Sequence, residues 1–310
     1  MLEFYKTFED GTRKIQEPEP GCWINAIAPT EEERDFLTKN IGVLQEFVKS
    51  SLDEEESSHV DYDDDFDQTL VIVDYPSMNK IDINNVEYFT CPLGVVIMHG
   101  YVVTISLYES WGINALKEGK AKGIDTRLKT RFLLTLLLFI SQRFLMCLRE
   151  IDRLSTQTES RLQQSLDNEG LLRLLALEKS LVYFSTSLKS DETTLQKIHR
   201  GKQIKLYEED EDLWEDVVIE MNQATEMCNI YSNILSQMRE TYNSVISNNM
   251  NNVMKMLAIV TVVLSIPNII YAFYGMNVTL PLPYVWFPCL LTVVGCVAAF
   301  VWLIKSNKFK

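Results

Sequence analysis

Between Met256 and Ile304 the chain carries no Asp, Glu, Lys, Arg or His. That uncharged run of about 49 residues is more than twice the roughly 20 that a helix needs to cross a bilayer once. It reads as two transmembrane helices, 254–274 and 284–304, joined by a loop over 275–283 that opens with Gly275-Met276-Asn277. A membrane is therefore the expected setting, with lipid as a partner, and the rest of the chain has to be compatible with it.

Roughly 250 residues precede the first span, enough for a domain with its own core. Met1-Leu2-Glu3-Phe4-Tyr5-Lys6 has neither the basic nor the apolar stretch of an export signal, so this head is expected in the cytoplasm. Lys255 begins the first span, and Lys305, Lys308 and Lys310 fill the basic tail 305–310, while the loop 275–283 is uncharged. The excess of basic residues on the inner side places both termini in the cytoplasm and the loop outside, as a multi-pass protein of the cell membrane. The net charge of −14 argues against nucleic acid, whose phosphates demand a basic surface, and suits a protein that attracts cations. The six cysteines include no C-x-x-C pair and are expected as reduced thiols. There is no Gly-rich phosphate loop, nucleophile elbow or H-E-x-x-H, so no enzyme is expected.

Residues 1–108 have an α/β pattern. Runs at Cys22–Ile27, Thr69–Asp74, Gly94–Met98 and Tyr101–Leu107 predict strands, and Gly100 predicts a hairpin turn between the last two. Helical patches follow Thr30, where Thr30 and Glu33 have capping-box spacing, and occupy Ile41–Val48. Residues 109–207 read as helical. Phe132–Ile140 is apolar, but Arg131 and Arg143 bracket it at about half the length of a span, which predicts a buried helix.

From about Glu208 nothing stops a helix before the membrane. Val217, Met221, Ala224, Cys228, Tyr231, Leu235, Met238, Tyr242 and Val245 follow steps of four and three, the seam of a helix packed along its length. The stalk 208–253 and the first span are expected to form one helix of about 65 residues, roughly 100 Å long. Continued at the same spacing, the seam becomes Asn251, Met254, Leu257 or Ala258, Thr261, Ser265, Asn268, Ala272 and Gly275. Small and polar residues thus share one face of a span otherwise built from Leu, Ile, Val and Phe. Thr261 and Ser265 can also serve only their own helix by hydrogen-bonding back to it. Asn268 is a costlier residue in hydrocarbon without a partner, and the stripe as a whole favours a water-lined path. Two spans cannot enclose a pore, so such a path requires a symmetric oligomer. With no acid in the spans, an ion would meet amides, hydroxyls and carbonyls, a lining suited to hydrated Mg²⁺ rather than to softer metals. Pro267 is expected to loosen the helix beside Asn268.

Two C-terminal spans, Tyr274-Gly275-Met276-Asn277 after the first, Asn251-Asn252-Val253-Met254-Lys255 at its start, a long stalk helix and an α/β head together resemble the CorA family of magnesium transport channels. The resemblance implies a funnel-shaped homopentamer with two spans per subunit and the five first spans around the pore. It implies an outer selectivity filter of Gly275, Met276 and Asn277, a polar ring at Asn251, and a hydrophobic constriction at Met254 and Leu257. Mg²⁺ would be the transported ion, with Co²⁺ or Ni²⁺ as further substrates, and cytosolic Mg²⁺ would also hold the channel closed at acidic sites between subunits. Asp216 falls at the position of the stalk acid of such a site, with Asp53 as its head-domain partner. The chain departs from the family in two places. Ser265 stands where a second bulky gate residue is common, and the loop after Asn277 lacks the usual acid.

The clusters Asp53–Asp67 and Glu208–Asp216 also have a plainer explanation as solvated faces, the second beside a helix N-terminus that favours carboxylates. Two other functions remain open: a Zn²⁺- or Co²⁺-preferring or proton-coupled relative, and a membrane-tethered coiled-coil scaffold or signalling protein. The scarcity of His and the polar stripe, respectively, speak against them.

Overall fold

The computed structural model describes residues 1–9, 11–82, 85–119, 124–164, 168–201, 203–276, 284 and 286–305. It divides into two compact units, Met1–Gln237 and Met238–Lys310. The strands, all in the first unit, are β1 (Leu2–Phe8), β2 (Gly11–Ile15), β3 (Cys22–Ile27), β4 (His59–Asp63), β5 (Gln68–Asp82), β6 (Asn85–Met98) and β7 (Tyr101–Ser106). The helices are α1 (Glu31–Phe36), α2 (Gln45–Ser50), α3 (Trp111–Lys117), α4 (Lys129–Gln164), α5 (Asn168–Arg200), α6 (Glu211–Tyr274) and α7 (Trp286–Lys305).

The strands form one sheet in the order β2-β1-β3-β7-β6-β5-β4, with β3–β7 parallel and every other pair antiparallel. β3 is buried at all six positions, as expected of a strand covered on both faces. On one face Ile24, Ala26, Ile72, Val96 and Ile105 pack against Leu37, Val43 and Phe47 from the α1–α2 segment. Gly94 lets this layer approach closely: a Cβ there would lie 1.9 Å from Ser51 Oγ. On the other face Tyr5, Trp23 and Phe132 form a stack, with ring centroids 4.9 and 5.1 Å apart, that ties the sheet to α4.

All four strands expected from the sequence are present, and Gly100, at φ 86°, makes the turn between β6 and β7. The structure extends β5 and β6 into a long hairpin and adds β1, β2 and β4. β2 and β4 lie at the sheet edges with few buried positions, so they carry little of the apolar alternation that marks a strand. The Thr30–Glu33 capping box is formed in both directions, and Glu33 also binds the N-terminal amine. A π-helical turn at Leu37–Ile41 separates α1 from α2, which begins only at Gln45, where the sequence suggests a helix over Ile41–Val48.

The apolar stretch of α4 is a core element, with Phe132, Leu133, Leu134, Leu136, Leu137 and Ile140 at most 1% exposed. The two long apolar helices differ sharply: 67% of the apolar window of α4 is buried, and none of that of α6 is. Of these two, α6 is the one left with an apolar surface that needs a non-aqueous environment, and α7 exposes Leu290, Val293, Val297 and Trp302 in the same way.

Candidate functional site

α6 is a single helix of 64 residues that continues through Pro267. A 3-10 turn at Glu208–Asp210 leads into it, and Arg131 Nε of α4 reaches Asp210 Oδ1 at 3.1 Å. In the first unit most of its seam is buried as the heptad spacing predicts: Val217, Met221, Ala224, Cys228 and Leu235 are at most 2% exposed, while Tyr231 is half-buried. Met221 Sδ accepts from Ser141 Oγ of α4 at 4.0 Å, and Cys228 Sγ donates to the Leu181 carbonyl of α5 at 3.4 Å. Farther along, Val245 of the same seam is exposed.

In the second unit α7 packs beside the far part of α6. Gly295 lets the helices approach, since a Cβ there would meet Ile266 Cγ2 at 3.0 Å. Cys296 Sγ lies 3.6 Å from the Val263 carbonyl, Tyr271 OH lies 3.9 Å from Cys289 Sγ, and Tyr274 and Phe287 have ring centroids 6.4 Å apart. The Cys296 contact has a specific cause. Val263 is four residues before Pro267, which has no N–H to give, so its carbonyl loses its helical donor and takes the thiol instead. Cys296 is expected from the sequence only as a reduced thiol, although the Pro267 spacing singles out Val263 as the carbonyl in need.

At 100° per residue, Val263, Ile266, Ile270 and Tyr274 form one face of α6, and Leu257, Thr261, Ser265, Asn268 and Ala272 lie about 180° away. α7 contacts the first face. The second is uncovered: Asn251, Met254, Leu257, Thr261, Asn268 and Ala272 are all exposed, and Ser265 is half-buried. Met254 and Leu257 remain 63% and 65% exposed. Thr261 Oγ1 donates to the Leu257 carbonyl and Ser265 Oγ to the Thr261 carbonyl, each at 2.8 Å. Both hydroxyls thus spend their proton on their own helix and keep lone pairs for an outside donor, which a hydrated cation supplies through its water shell.

Gly275 closes the helix, donating its N–H to the Tyr271 carbonyl at 2.9 Å, and Met276 donates to the Phe273 carbonyl at 3.4 Å. A Cβ on Gly275 would press to 3.2 Å of the Tyr271 carbonyl oxygen, a tight contact in the last turn. The carbonyl end of α6, with its partial negative charge, comes at this point. Asn277 lies outside the described residues, as does the loop through Pro283.

Of the two acids expected to hold a regulatory metal, Asp216 is exposed in the second turn of α6, and Asp53 is exposed in the head. Asp53 Oδ1 accepts from the Glu55 N–H at 3.1 Å. Among the described residues no three Asp, Glu, His or Cys side chains of one chain come together as a metal site. Within the acidic clusters several residues serve the fold. Asp210 is buried against Arg131, Asp63 Oδ1 accepts the Phe66 N–H, and Tyr62 OH donates to Asp67. Cys22, Cys91, Cys147 and Cys228 are buried free thiols, and burial pushes the Cys147 and Cys228 thiols each up to about 11. They are protonated and unreactive at neutral pH.

Residues 19–305 match the family of CorA-like Mg²⁺ transporter proteins. The chain is 27% identical over 293 residues to the cobalt/magnesium transport protein CorA of Methanocaldococcus jannaschii, covering 92% of this chain and 90% of that one. Its fold matches the complete structure of the CorA magnesium transporter from the same organism with a TM-score of 0.81 at 24% identity, over 99% of this chain and 98% of that chain. It also matches the full-length CmaX protein with a TM-score of 0.73 at 17% identity, over 98% and 96% of the two chains. The α/β head, the long helices and the apolar helices are common to that fold, and the family match covers nearly the whole chain. This protein therefore belongs to the CorA family of Mg²⁺ transporter proteins and is a transporter, not an enzyme.

Proposed function

We propose that the protein is a homopentameric channel of the cell membrane that admits Mg²⁺ passively, driven by the membrane potential. In this reading 254–274 and 284–304 span the bilayer, both termini are cytoplasmic, and five copies of α6 surround the path. The observation that carries it is the uncovered stripe Asn251, Met254, Leu257, Thr261, Ser265, Asn268 and Ala272, which lies opposite the face that α7 occupies. A tether has no use for a polar face in hydrocarbon, whereas a ring of such faces around an axis hydrates all of them at once.

Gly275, Met276 and Asn277 form the outer filter. Its amides and carbonyls hold Mg²⁺ through the ion's own water, because Mg²⁺ dehydrates reluctantly. The loop supplies no carboxylate, but the carbonyl ends of five α6 helices converge at the filter and contribute negative potential there. The M. jannaschii relative carries cobalt as well as magnesium in its name, and Co²⁺, as a similarly hydrated divalent ion, is a second substrate in this reading. Cytosolic Mg²⁺ closes the channel by bridging Asp216 of one subunit to the head of the next, with Asp53 as the partner acid. Without the ion, like charges facing across that interface repel and the closed packing is disfavoured.

Flux into liposomes tests this. Mg²⁺ entry is expected with the wild-type chain and is expected to fall at least tenfold or lose selectivity over Zn²⁺ in Asn277→Ala. Unaltered entry and selectivity in that variant would remove the filter assignment. Folded pentamers that pass no ion would instead favour a scaffold.

A further inference from the structure

α5 carries a seam of its own, at Leu177, Leu181, Phe184, Leu188, Asp191, Leu195 and Ile198, each at most 4% exposed. One of the seven is an acid. Asp191 is 0% exposed, and its Oδ2 has no hydrogen-bond partner. Its Oδ1 accepts the backbone N–H of Asp74 at 2.9 Å, 117 residues away in sequence. The register explains that bond: β4 pairs with β5 no farther than His59–Ile72, so beyond Ile72 this edge of β5 has no strand beside it. A neutral asparagine or serine could cap that N–H equally well. What an edge cap leaves unexplained is a carboxyl with its second oxygen buried and unused, next to a second carboxyl.

We propose that Asp74 and Asp191 form a buried proton-binding site, sharing one proton between two carboxyl groups at neutral pH and so linking the seating of α5 on the sheet to the surrounding pH. Among the described residues no cationic side chain faces the pair. Asp74 comes from β5; Ser58 lies just before β4; Thr90 and Cys91 come from β6; Ser187, Ser190 and Thr194 come from α5. The hydroxyls are shared among several partners: Ser58 Oγ meets Thr194 Oγ1 and Ser187 Oγ meets Thr90 Oγ1, each at 2.8 Å, and Ser190 Oγ donates to the Ser58 carbonyl at 3.1 Å. Ser187 and Ser58 also interact with the Asp74 and Asp191 carboxyls, respectively. Burial, then Glu54 and Asp74, push the Cys91 thiol up to about 12, so it is neutral as well. Among the described residues no Lys, Arg or His acts on either carboxyl.

Two neighbouring carboxyl groups, Asp191 fully buried and Asp74 half-buried, do not both ionise without a cation. Burial drives both upward from the ordinary carboxylate range, Asp191 much further with the Asp74 charge adding to it, and outweighs the lowering hydrogen bonds from Ser187 to Asp74 and from Ser58 and the Asp74 N–H to Asp191. A proton turns the orphaned Oδ2 of Asp191 from a buried anion into a neutral hydroxyl. The unfolded chain does not hold this proton near pH 7. The site's contribution to stability is therefore complete below the unfolded value near 3.8 and is lost as pH rises through the folded value. Over that window the folding equilibrium constant falls by up to about tenfold per pH unit for the one proton concerned.

The test uses the full-length chain in detergent, compared with Asp191→Asn and Asp74→Asn. Infrared spectroscopy at pH 7 is expected to show a protonated-carboxyl band that disappears in Asp191→Asn and, because the Asp74 charge only adds to the effect of burial, shifts in frequency in Asp74→Asn. The ratio of wild-type to Asp191→Asn folding constants is expected to fall as pH rises from 4 to 7. Absence of the band together with parallel pH profiles would overturn the proposal, and Asp74→Asn decides the matter should Asp191→Asn not fold. Stabilisation of the wild type, but not of Asp191→Asn, by Na⁺ or Mg²⁺ at pH 7 without the band would also overturn it, in favour of a cation site.

Discussion

Arg131 and Asp210 anchor the start of the proposed pore helix to the helical layer of the head. The Asp210 carboxylate is 8% exposed and lies in the turn that leads into α6, whereas the Arg131 side chain keeps 37% of its surface. At their 3.1 Å separation the attraction is about 5 kcal/mol for an effective dielectric constant near 20. Most of that offsets the water removed from Asp210. Truncating Arg131 leaves an anion with little access to water, a situation that costs about 3–5 kcal/mol in a dry interior. Because over a third of the Arg131 side chain is exposed, water can enter the space it leaves, and the positive end of α6 supports the remaining charge. Arg131→Ala is therefore expected to destabilise the full-length protein by about 2 kcal/mol and Asp210→Asn by about 1 kcal/mol. Denaturant unfolding in detergent, run as a double-mutant cycle, checks this, with a coupling of at least about 1 kcal/mol expected between the sites. Loss below about 0.5 kcal/mol in Arg131→Ala, with strict additivity in the double variant, would refute the anchor.

Other expectations follow from the same kind of reasoning. Burial raises the Glu3 carboxyl, but Lys117 and Lys14 outweigh it and hold the group at about 2 against an ordinary 4.5. Glu3→Gln is then expected to cost about 2–3 kcal/mol at pH 7 and almost nothing at pH 2. The wild type's advantage should vanish as pH falls from 4.5 toward 2, and a cost independent of pH in unfolding curves would count against the ion triad. Cys296→Ala removes the donor to the Val263 carbonyl and is expected to cost about 0.5–1 kcal/mol in detergent unfolding, with Cys296→Ser near wild type. Equal losses in the two variants would point to packing alone. Asp216→Ala is expected to weaken inhibition of influx by internal Mg²⁺, and unchanged inhibition would remove Asp216 from the regulatory site.

Much of the candidate pathway was legible because its signals are local. Absence of charge from Met256 to Ile304, heptad spacing from Val217 onward, and a Gly-Met-Asn turn between apolar runs each depend on neighbours within a few residues. A helix repeats every 3.6 residues whatever lies beside it. Such patterns also separated α4 from the spans, since arginines bracket its apolar run at half a bilayer's width.

What the tertiary structure alone decided depends on residues far apart in the chain. The stripe from Asn251 to Ala272 was readable as a face, but only the packing of Gly295 and Cys296 against Ile266 and Val263 leaves that face free. The acids of 208–216 look alike in sequence, yet Asp210 is buried on Arg131 while Asp216 is exposed. Asp74 and Asp191 carry no local mark of their pairing apart from an acid in an apolar seam. Desolvation and charge pairing depend on which surfaces meet, and in this protein those surfaces are brought together across more than a hundred residues.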